Sequence, residues 1–245
     1  MVKRRLLQGL IAASALAFPV GAGAGDVANL NILGFSRDGG IFAFEEFGVQ
    51  DGSGFPYANR YYIRTSDDKF LPGTPIRVRL DDESADVRKA RGEAATKAQS
   101  ATSLSDAELL ANSGNTVALN PVTELSANPM AVKVNPRPIF PALDPVLAIS
   151  LDEFPLAAGS NCQNIGDIKG FRLTLQQETP NAAPSTIHED SSVPASRGCP
   201  LGYSIGAVQT FYPQSGAPVV AVMIAIRGQG FEGPDYRWLA VTRQR

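Results

Sequence analysis

Few side chains in this chain are suited to chemistry. His188 is the single histidine, and it heads the run His188-Glu189-Asp190. An imidazole beside two acids could act as a general base or a metal ligand. The plainer reading is a solvent-facing loop hydrogen-bonded to its own backbone. Glu45 and Glu46 form the other candidate pair. A hydrolase could be assembled from Glu45 or Glu46 with His188 or Asp51. The two glutamates cannot serve together as a glycosidase pair. Neighbours on one strand point to opposite faces, whereas paired carboxylates must flank a single bond.

Two motifs imitate known sites. Gly202-Tyr203-Ser204-Ile205-Gly206 fits G-x-S-x-G, the nucleophile elbow of α/β-hydrolases. That elbow needs a helix after the serine and a histidine later in the chain. Here a strand-like run, AVQTFY, follows, and His188 comes earlier. Gly228-Gln229-Gly230-Phe231-Glu232-Gly233 fits the dinucleotide fingerprint, which needs a helix N-terminus to hold the pyrophosphate. Pro234-Asp235 and the strand-like YRWLAVT follow instead, so the glycines read as a turn. Asp81-Asp82-Glu83 reads as the acidic start of a helix, with weak divalent-ion binding as the alternative. Cys162 and Cys199 cannot complete a zinc set with one histidine. No metal or cofactor site is read from the sequence.

These residues must be carried by a scaffold, and the strongest scaffold signal is Leu30–Ser66. Two apolar runs, Ile32–Ser36 and Ile41–Phe47, flank Arg37-Asp38-Gly39-Gly40. Asp-Gly between strand-like runs predicts a β-hairpin. In the second strand Ile41, Ala43, Glu45 and Phe47 share one face, and Phe42, Phe44 and Glu46 the other. Both faces are apolar, so the strand is expected to be covered on both sides. At least one glutamate then needs an ion-pair partner, and Arg60 or Arg64 on the next strand is the candidate. The connecting loop Gln50–Asn59 ends in an aromatic Pro-Tyr tip and lacks the alternating acids of a calcium loop. With Tyr61 and Tyr62 it is the expected contact surface, and the candidate binding residues are Glu45, Glu46, Asp51, Tyr57, Tyr61 and Tyr62.

The segments GFSRDGGIFAFEEFG and NRYYIRTSDDKF resemble one hairpin of a TolB-type β-propeller blade. No second copy is evident, and a propeller needs several. More of the chain, in FAFEEFGVQDGSGFPYAN, HEDSSVPASRGCPLGY and GFEGPDYRWLAVT, is similar to a bacterial family of predicted secreted proteins known as domain of unknown function 2259. The resemblance implies export and a shared fold, and brings no catalytic residue with it.

Residues 1–24 read as a secretory signal peptide. Lys3, Arg4 and Arg5 precede the apolar run Leu6–Val20, and Ala22-Gly23-Ala24 supplies a cleavage site. The apolar run is shorter than the roughly 20 residues that span a bilayer comfortably. No stable membrane insertion is expected after cleavage. Removing the segment takes the formal charge from −2 to −5, which argues against nucleic acid as a partner. In an oxidising compartment Cys162 and Cys199 read as a disulfide, with a reactive or metal-binding pair as the alternative. Closing that loop would stabilise the fold by roughly 4 kcal/mol on the chain-entropy account.

With 44% apolar and 19% charged residues, residues 25–245 are expected to form one mainly β domain with a helical insert at 81–113. Within the insert, Ala90, Ala94, Ala98 and Ala101 fall at helical spacing. Ser105-Asp106-Ala107-Glu108 is a capping box, stapled by Leu104 and Leu109. The insert reads as a lid or decoration, or else as a partner-binding arm. Short strands are expected at Thr116–Leu119, Val122–Leu125, Ala131–Val134 and Val146–Leu151. Lys169–Gln176 alternates cleanly. Leu201–Tyr212 and Val219–Ile226 form a hairpin, and Tyr236–Thr242 closes the fold. Neighbouring strands predict antiparallel sheets packed as a sandwich or a propeller-like fragment. The expected function is a non-catalytic periplasmic or secreted domain that binds an unidentified envelope or extracellular protein or ligand.

Overall fold

The computed structural model describes residues 25–245; the signal segment read at 1–24 lies outside the described residues. The first sheet is built from β1 (Asn29–Phe35), β2 (Ile41–Val49), β3 (Pro56–Arg64), β4 (Lys69–Phe70) and β5 (Ile76–Arg79), all antiparallel. The turn between β1 and β2 is held by Asp38, whose Oδ1 accepts from the Ser36 hydroxyl at 2.6 Å and the Gly40 N–H at 2.9 Å. Gly39 takes the positive φ of 73° that the turn requires.

The helices α1 (Val87–Thr102) and α2 (Asp106–Ala111) follow. α1 begins later than the run of acids implied. Asp86 caps it by accepting from Arg88 N–H, and no acid lies in its first turn. Asp82 instead holds a turn, accepting from the Ser84 N–H and hydroxyl. Ala90, Ala94 and Ala98 are fully buried, because side chains this small let the helix lie close against the first sheet. Ala101 is exposed. The Ser105 cap accepts from Glu108 N–H at 3.1 Å, and Leu109 is buried in the cluster that Leu104 flanks.

The chain then places β6 (Asn115–Leu119) in a second sheet and β7 (Ala131–Val134), β8 (Leu147–Pro155), β9 (Lys169–Gln177) and β10 (Ser185–Glu189) in a third. It returns to the second sheet with β11 (Gly202–Phe211), β12 (Val219–Gln229) and β13 (Pro234–Gln244). The orders are β13-β12-β11-β6 and β10-β9-β8-β7. Val122–Leu125 is not a strand. Pro121 opens a turn closed by Glu124 N–H to its carbonyl at 2.8 Å, and Leu125 is 93% exposed with no layer to pack on.

The second sheet is central. Val220, Val222, Ile224 and Ile226 pack against Leu147, Ile149, Phe171 and Leu173 of the third sheet. Val219, Ala221, Met223 and Ala225 face Phe35, Phe42, Phe44 and Tyr61 of the first. Covering on both faces explains why β12 reads as an unbroken apolar run. The order of layers is helices, first sheet, central sheet, third sheet. The architecture is mainly β, with antiparallel sheets and no closed barrel. Cys162 and Cys199 form a disulfide that ties the loop before β9 to the loop before β11.

Candidate functional site

β13 is the edge strand of the central sheet, and its outward N–H groups must find partners outside the ladder. Tyr236 N–H donates to the Asp26 carbonyl at 2.9 Å, and the Tyr236 carbonyl accepts from Ala28 N–H at 3.1 Å. Trp238 N–H donates to Glu46 Oε2 at 2.8 Å. Thr242 N–H and its hydroxyl donate to Asp68 Oδ1 at 2.7 and 2.8 Å. The first sheet therefore reaches across with two carboxylates to close the edge of the second.

The alternation of β2 places Glu46 on the face toward the central sheet, where it is 2% exposed. Its Oε1 accepts from the Tyr61 hydroxyl at 2.6 Å and from Asn59 Nδ2 at 3.0 Å. Burial and the adjacent Glu46 charge push the Tyr61 phenol far above its ordinary range. Asp68 sits at φ 55°. Burial raises its carboxyl pKa more than the two Thr242 hydrogen bonds and the nearby His188 lower it.

The third sheet supplies the opposite wall. A bulge in β10 presents His188, whose ring stacks on Phe171 with centroids 4.6 Å apart. His188 Nε2 lies 3.0 Å from Asp190 Oδ1. Asp190 also accepts from Arg197 Nη1 at 2.8 and 2.7 Å and from Phe171 N–H at 3.0 Å. Burial alone would raise Asp190; the donors from His188, Arg197 and Phe171 together outweigh it and hold the carboxyl below its usual range.

Between these walls lies a cleft of about 360 Å³, within the range of small-molecule sites. Glu46, Asn59, Tyr61, Asp68, Phe70 and Arg77 line one side. His188, Pro194, Ser196 and Arg197 line the other, and Arg237–Val241 of β13 form the floor. Arg237 is held by Asp26, to whose Oδ2 it donates at 2.5 Å. Arg77 is exposed, and among the described residues it makes no ion pair.

Only some of the residues expected from sequence meet here. Glu46 and Tyr61 line the cleft, and His188 faces them across it. Glu45 points the other way and is fully buried beneath the helices. There it takes Arg60 Nε at 3.3 Å and Arg91 Nη2 at 2.7 Å, while Arg60 continues to Asp106 at 2.6 Å. Arg64 pairs instead with Asp67 on the surface. Tyr62 is buried on the helix side. Tyr57 donates its hydroxyl to Asp26 at 3.0 Å. Asp51 accepts from Glu232 N–H at 3.0 Å and lines a different hollow, with Asp26 and Glu83. The loop Gln50–Asn59, Tyr61 and Tyr62 therefore present no common surface. Asp68, Arg77, Arg197 and the edge of β13 had no local signal in the sequence beyond residue type.

The two glycine motifs are structural. Ser204 lies within β11, with no helix after it. A side chain on Gly206, at a bulge, would come within 2.2 Å of the Trp238 ring. Gly230 belongs to the β12–β13 connection, where a Cβ would meet the Gly233 carbonyl and the Asp235 carboxylate at 2.3 Å.

A family model described as predicted secreted protein (DUF2259) matches residues 43–244. The chain belongs to this family. No curated protein and no solved structure matches the chain. The match spans every element from β2 to β13, and so includes both walls of the cleft and its floor. The DUF2259 description agrees with the export signal read at the N-terminus and with the disulfide. Among the described residues no helix is long and apolar enough to cross a membrane.

Proposed function

We propose that this DUF2259 protein is a non-catalytic binding domain, working in the periplasm or outside the cell, that takes its ligand in the cleft along β13. The observation that carries this reading is how the polar groups of the cleft are committed. Glu46 already accepts from Tyr61, Asn59 and Trp238, and His188 Nε2 is held by Asp190. An imidazole held by a carboxylate is also how a general base is oriented, so the reading rests on this: among the described residues no hydroxyl is hydrogen-bonded to His188 as a nucleophile would be. Binding needs only donors and acceptors turned toward an open space, and Arg77 provides one.

The alternative is a hydrolase. Of the pairs formed by Glu45 or Glu46 with His188 or Asp51, only Glu46 and His188 share the cleft. Ser196 also lines it, but among the described residues no hydrogen bond joins its hydroxyl to His188. A protein-observed NMR screen with a library of small esters, amides and glycosides separates the readings. Shifts clustered on Asn59, Tyr61, Arg77 and His188, with every compound recovered intact, support binding. Turnover of any compound that is lost in Glu46→Gln establishes the hydrolase instead.

A further inference from the structure

Every second residue of β13 directs its N–H and C=O off the edge of the sheet. The register with β12 is unbroken from Val219↔Gln244 to Gln229↔Pro234, so the outward set includes Tyr236, Trp238, Ala240 and Thr242. The N–H groups of Tyr236, Trp238 and Thr242 are taken by Asp26, Glu46 and Asp68. Ala240 lies between the last two, half-buried in the floor of the cleft. Among the described residues no donor or acceptor meets its outward N–H and C=O.

That pattern limits what can bind. A strand adding to β13 would need the donors of Trp238 and Thr242, and both are held by carboxylates of the first sheet. What remains open is one residue's worth of backbone. The pair of groups that Ala240 offers, an N–H and a C=O side by side, is met by a molecule with an acceptor and a donor on a single carbon atom. A trans amide, whose C=O and N–H point opposite ways, does not meet it.

The two ends of the cleft differ in charge. Glu46, Asn59 and Arg77 are cross-strand neighbours in one row over β2, β3 and β5, so Arg77 belongs to the Trp238 end. Of the two outward groups of Ala240, the N–H lies nearer that end. Asp68 marks the Thr242 end, nearer which the Ala240 carbonyl lies. Only Oδ1 of Asp68 is engaged; among the described residues its Oδ2 has no hydrogen-bond partner. Burial without full compensation keeps the Asp68 pKa raised, as expected of an acceptor that lacks a donor.

We infer that the cleft binds an α-amino acid zwitterion, either a free amino acid or a dipeptide. The carboxylate meets the Ala240 N–H and Arg77, and the ammonium meets the Ala240 carbonyl and Asp68 Oδ2. The volume of about 360 Å³ admits a molecule of that size. This inference rests on the cleft being the binding site.

The test is a titration of the folded protein, followed by calorimetry and by the Ala240 amide NMR signal. The probes are the free L-amino acids, a set of dipeptides, and the N-acetylated and C-amidated forms of whichever binds. Blocking either terminus should weaken binding at least tenfold. Asp68→Asn keeps the Thr242 hydrogen bonds, and Asn accepts the positive φ at this position. This variant should bind the free and N-acetylated forms alike. Arg77→Gln, on the surface, should erase the preference for a free carboxylate. Ala240→Pro replaces the N–H by a ring carbon at an edge position that tolerates proline, and should abolish binding while the chain stays folded. Tighter binding of dipeptides than of free amino acids would identify the longer source, and the reverse the shorter. Equal binding of free, acetylated and amidated probes overturns the inference but leaves the cleft a binding site. The same holds if no probe binds while the fragment screen finds other ligands in the cleft. If neither probes nor fragments enter the cleft, the binding reading falls as well.

Discussion

Glu46 Oε2 accepts the backbone N–H of Trp238 at 2.8 Å, across 192 positions of sequence. The contact lies between two sheets: a side chain of the first closes the edge of the second. A glutamine at 46 keeps one carbonyl oxygen for Tyr61 and Asn59 and turns an NH₂ toward the Trp238 N–H, setting two donors against each other. We expect Glu46→Gln to cost about 2 kcal/mol, the penalty of an unmet buried donor. Urea unfolding of the purified protein measures it. An unchanged midpoint would show that water replaces the carboxylate at no cost.

Glu45, one residue earlier, should matter more. It is fully buried and holds Arg60, which is 4% exposed, together with Arg91. Glu45→Ala leaves the buried Arg60 short of one anion and unties α1 from the sheet. A loss of about 3–5 kcal/mol is expected for breaking a buried pair from one side. Arg91→Ala should cost clearly less, because that side chain is 34% exposed. Equilibrium unfolding of both variants, read by circular dichroism, checks the order; the reverse ranking would refute the account of Glu45.

Gly206→Ala places a methyl 2.2 Å from the ring of Trp238, so the strand or the ring must shift. Overpacking of this kind costs about 1–3 kcal/mol. Trp238 is the sole tryptophan, so its emission reports directly on the site. An emission maximum and a melting temperature both equal to those of the parent would refute the packing argument.

The pH dependence should separate two kinds of aspartate. Asp190 is held below its usual value because donors from His188, Arg197 and Phe171 outweigh its burial. Its contribution to stability is present above the unfolded carboxylate pKa, about 3.8, and is lost as the pH falls through the lower folded value. Asp68 is raised by burial, so its contribution has the opposite sign. It is present below 3.8 and is lost as the pH rises through the higher folded value. Asp68→Asn should therefore gain stability over the parent at neutral pH, and the gain should shrink toward pH 3.5, a value set by the ordinary carboxylate range. Melting curves of the two proteins across that range check the sign. A gain independent of pH would mean that Asp68 does not titrate on unfolding.

Local pattern carried several of these features. Strand alternation placed Glu45 and Glu46 on opposite faces, and Asp-Gly between apolar runs marked the β1–β2 turn. Alanines at helical spacing marked α1, and the export signal made a disulfide the natural state of Cys162 and Cys199. The requirement for a following helix removed both glycine motifs from consideration. Val122–Leu125 misled because apolar residues count toward a strand only when a layer covers them, and Leu125 has none.

The sequence by itself determined the class of fold, the family and the two faces of strands such as β2 and β9, because each depends on residue type and short-range spacing. Only the tertiary structure decided what each face meets. The chain leaves the central sheet after β6, builds the third sheet, and returns with β11, β12 and β13, so that β13 ends at an edge. That edge brings Glu46, Asp68, His188 and Ala240 to one cleft. A period of two shows that a side chain points inward; it carries no information about which strand, some 170 to 190 residues away, lies opposite.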